Sequence, residues 1–113
     1  QLSDTIGVAS PESISYLFSH ITPHYPDIEF GAHFHTTPTA WKEKVATAYE
    51  HGCRRFDGAI RGYGGCPMAK DDLTGNMPTE NMVYYFRDIG ADTGVDVGRF
   101  RQSVEMAGEV FPL

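Results

Sequence analysis

The chain has 113 residues, 41% of them hydrophobic, enough for one domain with a modest core. Fifteen acidic residues against nine basic give a formal charge of -6, which argues against a broad nucleic-acid-binding surface. No apolar run is long enough to span a membrane, and no low-complexity segment or long-period repeat occurs.

Two cysteines, Cys53 and Cys66, are too few for a disulfide framework; a mutual pair stays open, with the lean toward a reducing compartment. The opening Gln1-Leu2-Ser3-Asp4 lacks an initiating Met and a signal-peptide pattern and reads as the middle of a strand. We therefore expect the true beginning to lie elsewhere, and the missing targeting sequence says nothing about location.

Residues 1–9, with Leu2, Ile6 and Val8 around Asp4-Thr5, read as a strand end running into a loop. Ser10-Pro11-Glu12 then starts a helix: a Ser cap, Pro at the first helical position and an acid near the positive dipole end. Ile14, Leu17, Phe18 and Ile21 form its apolar face, and Pro23 and Pro26 end it, leaving His20 and His24 as structural or solvated.

Residues 28–35 alternate as a strand, with Ile28, Phe30, Ala32 and Phe34 on one face and Glu29, Gly31, His33 and His35 on the other. Two imidazoles on one side of a strand end suit a divalent metal, although His-x-His by itself is a weak signal. A second helix opens at Thr39 and carries Trp41, Val45, Ala48 and Tyr49 to a stop at Gly52, with Trp41 read as a core anchor. Residues 55–60 form the next strand, at whose start Cys53 reads as an inert buried thiol.

A glycine-rich loop, 61–76, follows; it lacks both the Gly-Lys-Ser/Thr ending of a phosphate loop and the dinucleotide-binding spacing. Its glycines allow it to act as a lid. Thr79 caps a third helix with Met82, Val83, Phe86 and Ile89, stopped by Gly90. Asp96 begins a fourth with Phe100, Val104, Ala107 and Phe111. Met68, Met77, Met82 and Met106 read as gap fillers.

Strands alternating with helices through short links are the pattern of parallel α/β units. Three strands and four helices cannot close a barrel, which takes about 250 residues. That leaves a small open α/β domain or the C-terminal portion of a (β/α)8 TIM barrel, incomplete in this chain. The strand-like first residues favour the second, with 1–113 a single partial domain. In a barrel, catalytic groups sit at the C-terminal ends of strands and in the loops after them, the positions held by Asp4, Thr5, His33, His35, Cys66 and Asn76. Two histidines, an Asn oxygen and a carboxylate suit Mg²⁺, Mn²⁺ or Zn²⁺. Cys66, between glycines and Pro67, is free to act as nucleophile or proton donor or to do neither.

His33-Phe34-His35 closing a strand, then Gly64-Gly65-Cys66-Pro67 with Ala69, then Gly75-Asn76 with Thr79-Glu80, resembles the 3-hydroxy-3-methylglutaryl-CoA (HMG-CoA) lyase family. Asp4-Thr5-Ile6-Gly7 fits the same family upstream, and the resemblance runs over roughly residues 2–100. The Gly-Gly-Cys-Pro loop is the specific part, since isopropylmalate and homocitrate synthases share the other elements and lack it.

The resemblance implies metal-dependent retro-Claisen cleavage of HMG-CoA to acetyl-CoA and acetoacetate; the alternatives are a related lyase or synthase acting on another acyl-CoA or 2-oxo acid, or a non-catalytic α/β scaffold fragment. It implies Mg²⁺ or Mn²⁺ on His33, His35 and Asn76, and Cys66 as the loop cysteine that helps protonate the departing enolate. His33 would also move the proton of the tertiary hydroxyl. Asp4, Thr5, Glu80, Gly64 and Gly65 would line the site or support it from behind. The expected partner is a small-molecule acyl-CoA, with no nucleic acid and no membrane; a homo-oligomer stays open. The cytoplasm is favoured over the mitochondrial matrix.

Two departures stand out. Thr36-Thr37-Pro38 replaces the acidic residue and glycine-containing turn usual after the histidine pair, and the family's fourth ligand, an Asp beside an Arg, has no counterpart here. Arg61 and Lys70 are candidate phosphate contacts or solvated charges.

Overall fold

A computed structural model describes residues 1–4, 7–64 and 74–111. Strands β1 (Leu2–Asp4), β2 (Gly31–Thr36) and β3 (Arg55–Asp57) form a parallel sheet in that order, linked by α1 (Pro11–Ile21) and α2 (Trp41–Glu50). Leu2, Ala32 and Phe56 stand in register, as do Ser3, His33 and Asp57. In-register side chains of parallel strands share a face. The first set joins the core with Ile14, Phe18, Phe34, Val45 and Phe86, and the second lies on the opposite face. The expected division of β2 into an apolar face and a histidine face therefore holds.

Helix α1 starts as expected, with Pro11 in its first turn. The Ser10 hydroxyl accepts from Ser13 N at 3.1 Å, and Ser13 Oγ accepts from Ser10 N at 3.0 Å. Ile14 and Phe18 are buried, but Leu17 is 40% exposed, so the buried stripe is narrower than its apolar pattern. In α2, Val45 and Ala48 are fully buried and Gly52, at φ +94°, supplies the stop. Trp41 packs edge-on against Tyr85 with ring centroids 6.3 Å apart, as a core anchor should.

Several boundaries differ from expectation. Strand β2 begins at Gly31 because Ile28 is still in a turn, its N–H donating to Tyr25 O at 3.1 Å. Thr39 does not cap α2; its hydroxyl lies 3.5 Å from that of Thr37, and Ala40 precedes the helix without a side-chain cap. Helix α3 (Thr79–Asp88) begins after Pro78, so Thr79 is its first residue instead of its cap, and Thr79 N donates to Ala59 O at 3.0 Å. Ile89 is exposed at its end. Helix α4 (Val97–Val110) is capped by Asp96, whose carboxylate accepts from Arg99 N at 3.0 Å. It has no buried residue, and its contact with the turn at Ile60–Gly62 runs through Arg61 and Tyr63. Met77 and Met82 fill the core, whereas Met106 is exposed; Met68 lies outside the described residues.

The largest correction concerns the end of β3 and the loop after it. β3 stops at Asp57 because another segment takes its place beside β2. Met77 N donates to Phe34 O at 3.1 Å, and Ala59 N donates to Met77 O at 3.0 Å. Just before Met77, the stretch read as loop forms β4 (Gly75–Asn76), antiparallel to β2, pairing Asn76 with His35 and Gly75 with Thr36. Gly58 makes this possible, since a Cβ there would lie 2.3 Å from Met77 O. The close approach admits no side chain. Gly58→Ala is expected to cost at least about 2 kcal/mol. Denaturant unfolding of the protein checks this, and an unchanged midpoint and slope would contradict it.

Candidate metal and active site

The ends of β1 to β3, together with β4, bring several of the sequence candidates to one place. His33 and His35 share a face of β2, with ring centroids 5.4 Å apart. His33 Nδ1 lies 2.5 Å from Asp57 Oδ1, across the register between β2 and β3. The other Asp57 oxygen accepts from the side-chain amide of Gln1. His35 is only 8% exposed, and its Nδ1 is buried with no hydrogen-bond partner among the described residues. Burial, above all, and the neighbouring His33 and Lys44 lower its pKa, against smaller opposing effects of Asp4 and an Asn76 hydrogen bond. The ring is thereby kept neutral near pH 7, the state in which imidazole binds metals.

Asn76 faces His35 across the strand pair. Its Nδ2 donates to Tyr63 O at 2.8 Å, Oδ1 is its acceptor end, and its backbone N donates to Gly64 O at 2.9 Å. Gly64, at φ +89°, is where a Cβ would meet Asn76 Nδ2 at 2.8 Å. This glycine lets the loop entrance wrap the asparagine.

Asp4 reaches the site indirectly. Its carboxylate accepts from Gly7, Val8 and Ala9 N at 3.0, 3.1 and 2.7 Å, and Lys44 Nζ lies 3.4 Å away. Lys44 is 4% exposed and also donates to Gly7 O at 3.2 Å and to His35 O at 3.0 Å. Burial raises the Asp4 pKa, but the Ala9 and Val8 N–H donors and the Lys44 ammonium outweigh it, and the net shift is downward. Glu80 supports the loop entrance: both its oxygens accept from Arg61 N, at 2.9 and 3.0 Å. Arg61 holds a left-handed φ of +58°, and its Nε donates to Val104 O at 2.9 Å, so its side chain is engaged with α4.

Thr5, Gly65 and Cys66, and Lys70 with them, lie outside the described residues. Cys53 is buried, its thiol near Arg55 O at 3.2 Å, and burial pushes its pKa up. That is the chemistry of an unreactive thiol. Asp57 and Lys44 were missed as site residues. Asp57 had a signal, as an acid late in the strand beside the histidine strand; Lys44, on an amphipathic helix, had none.

Among the described residues, no three of His, Cys, Asp or Glu are grouped to hold a metal ion. The donor set that fits is mixed: two imidazoles, one with an orphaned buried nitrogen, and an amide oxygen opposite it. Such a set, completed by water or substrate oxygens, suits a hard divalent cation better than a closed structural zinc site. A separate cavity of about 470 Å³, lined by Tyr49, Arg54, Phe56, Phe86 and Asp92 among others, contains none of these residues.

The HMGL-like family model matches residues 1–106. The chain belongs to the HMGL-like family. Mouse cytoplasmic 3-hydroxy-3-methylglutaryl-CoA lyase is 34% identical over 104 residues, covering 92% of this chain and 30% of the mouse protein. (R)-citramalyl-CoA lyase of Chloroflexus aurantiacus is 35% identical over 96 residues, covering 85% of this chain and 30% of its own. An HMG-CoA lyase from Acinetobacter baumannii, solved with coenzyme A and 3-methylmalate, superposes with a TM-score of 0.83 at 36% identity. That superposition covers 96% of this chain and 35% of the solved one. The chain thus spans about a third of the length of these HMGL-like relatives. Its parallel α/β arrangement is a portion of the family's TIM barrel.

Because folding lowers the Asp4 pKa, the unfolded chain binds more protons around pH 4. The contribution of Asp4 to stability is complete above the unfolded value of about 3.9 and is lost as pH falls through the lower folded value. Asp4→Asn is expected to flatten this part of the stability curve. Lys44→Ala, which strands a buried carboxylate, is expected to cost about 3–5 kcal/mol at neutral pH. Urea midpoints of both variants from pH 3 to 7 test the pair; parallel curves for Asp4→Asn and wild type would contradict the assignment.

Proposed function

We propose that this chain is the C-terminal, site-bearing part of a carbon–carbon lyase that cleaves HMG-CoA to acetyl-CoA and acetoacetate. The observation that carries the reading is the meeting of His33, His35 and Asn76 at the strand ends, with Gly64 against Asn76; in sequence Gly64 opens the Gly64-Gly65-Cys66-Pro67 motif. His33, His35 and the Asn76 side-chain oxygen would hold Mg²⁺ or Mn²⁺, which supplies Lewis-acid polarisation of the substrate oxygens.

The remaining chemistry falls to the chain's own side chains and to water. Retro-Claisen cleavage needs a base at the tertiary hydroxyl. With its Nδ1 proton directed at Asp57, His33 keeps one lone pair, at Nε2, which would hold the cation, so the hydroxyl proton passes to a solvent water at the site and not to this ring. The O–H electron pair becomes the ketone C=O of acetoacetate, and the broken C–C pair passes to the acetyl-CoA enolate carbon. Cys66 returns a proton to that carbon, which completes acetyl-CoA. Lys44 and Asp4 hold the backbone of His35, and Glu80 and Gly64 hold the loop entrance; by the family resemblance Thr5 and Gly65 would line the substrate.

The proposed setting is the cytoplasm or mitochondrial matrix, in keeping with the compartments named for relatives. The 113 residues alone are expected to bind metal weakly and to be inactive, because the acyl-CoA must be held by groups outside them.

A second reading has its own support. The citramalyl-CoA lyase relative is as similar as the HMG-CoA lyases, and Thr36-Thr37-Pro38 departs from the usual turn after the histidines. The same bond-breaking chemistry would then act on citramalyl-CoA.

The test is acetoacetate release from HMG-CoA by the full-length protein, with and without Mg²⁺, beside Cys66→Ser and His33→Ala. Metal-dependent release that falls at least about 100-fold in both variants is expected. Release that ignores the metal or survives both substitutions would overturn the mechanism, and turnover of citramalyl-CoA alone would establish the second reading.

A further inference from the structure

We infer that Asp57 is a positioning residue for His33, fixing the tautomer and the ring plane that leave Nε2 with the free lone pair. The inference rests on the reading of His33 as a metal-holding group. Its basis is geometric. Asp57 ends β3 directly in register with His33, and its Oδ1 lies 2.5 Å from Nδ1. A neutral imidazole carries its proton on one nitrogen and a lone pair on the other. A carboxylate facing Nδ1 accepts a proton from it and would repel a lone pair there, so the proton sits on Nδ1.

The carboxylate is itself held in place. Its second oxygen accepts from the Gln1 amide, and the next residue, Gly58, is pinned against Met77 O. Among the described residues, Asp57 is the carboxylate within ion-pair distance of His33, and none lies so near His35. The two histidines are therefore oriented by different means: His33 by a carboxylate, and His35 by burial and Asn76. Carboxylates behind metal-binding histidines generally act this way, and their loss weakens metal binding by about 10–100-fold.

The test uses the full-length protein with ¹⁵N-labelled histidine and reads the His33 tautomer, assigned with His33→Gln, without metal or substrate. Mn²⁺ affinity is measured in parallel by electron paramagnetic resonance. Wild type is expected to show His33 protonated on Nδ1. Asp57→Ala should lose that single tautomer and raise the Mn²⁺ Kd about 10–100-fold. Asp57→Asn, whose carbonyl oxygen accepts the same proton, should retain the tautomer and most of the affinity, and it serves as the readout if Asp57→Ala fails to fold.

Wild-type tautomer and Mn²⁺ affinity in Asp57→Ala would overturn the inference. Equal loss of affinity in both variants with the tautomer unchanged would also overturn it. If wild type shows this dependence and fails to cleave HMG-CoA, the proposed activity falls and the role of Asp57 stands.

Discussion

The site depends on a strand exchange at the end of β2. Its parallel partner β3 leaves after Asp57, and the chain from Gly75 to Met77 returns to take over the exposed backbone groups. Two backbone hydrogen bonds at Met77, one to Phe34 and one from Ala59, lock this return in the middle of the core, where Met77 is fully buried. A sheet edge left unpaired there would leave buried N–H and C=O groups without partners. The same pairing that prevents this cost sets Asn76 opposite His35. Satisfying the backbone and assembling the side chains are therefore one event.

Electrostatics finishes what pairing begins. Lys44 is a buried cation, tolerable because it bridges the Asp4 carboxylate and the carbonyls of Gly7 and His35. Asp4 in turn gathers three N–H groups of the segment that follows β1. This cluster lies on the helix side of the sheet and pins the backbone of the strand whose opposite face carries the histidines. The charges that hold the frame are thus kept apart from those available to a ligand. On the loop side, Glu80 performs a comparable task by gripping the N–H of Arg61 at the turn that leads to Cys66.

Much of this was readable from residue order. The Ser10-Pro11 start of α1, the Asp96 cap of α4 and the alternation of Ala32, His33, Phe34 and His35 each follow from local rules, and the structure keeps them. What was not readable depends on partners distant in sequence. A two-residue strand such as β4 has no alternation to detect, and Gly75 argues for a loop. Thr79 looks like a cap, but Ala59 already accepts the hydrogen bond of its N–H and Pro78 stands in the capping position. Lys44 resembles any solvated helix charge until Asp4, 40 residues earlier, is folded against it. Asp57, an acid late in its strand, is tied to His33 in particular only once the register of β2 and β3 is known.

The central claim is that His33, His35 and Asn76 form one cation site, and it can be examined without turnover. Anomalous diffraction from crystals of the full-length protein grown with Mn²⁺ measures it most directly. The account predicts a peak bonded to an imidazole nitrogen of each histidine and to the Asn76 side-chain oxygen. A peak elsewhere, with this pocket holding only protein and water, would contradict it.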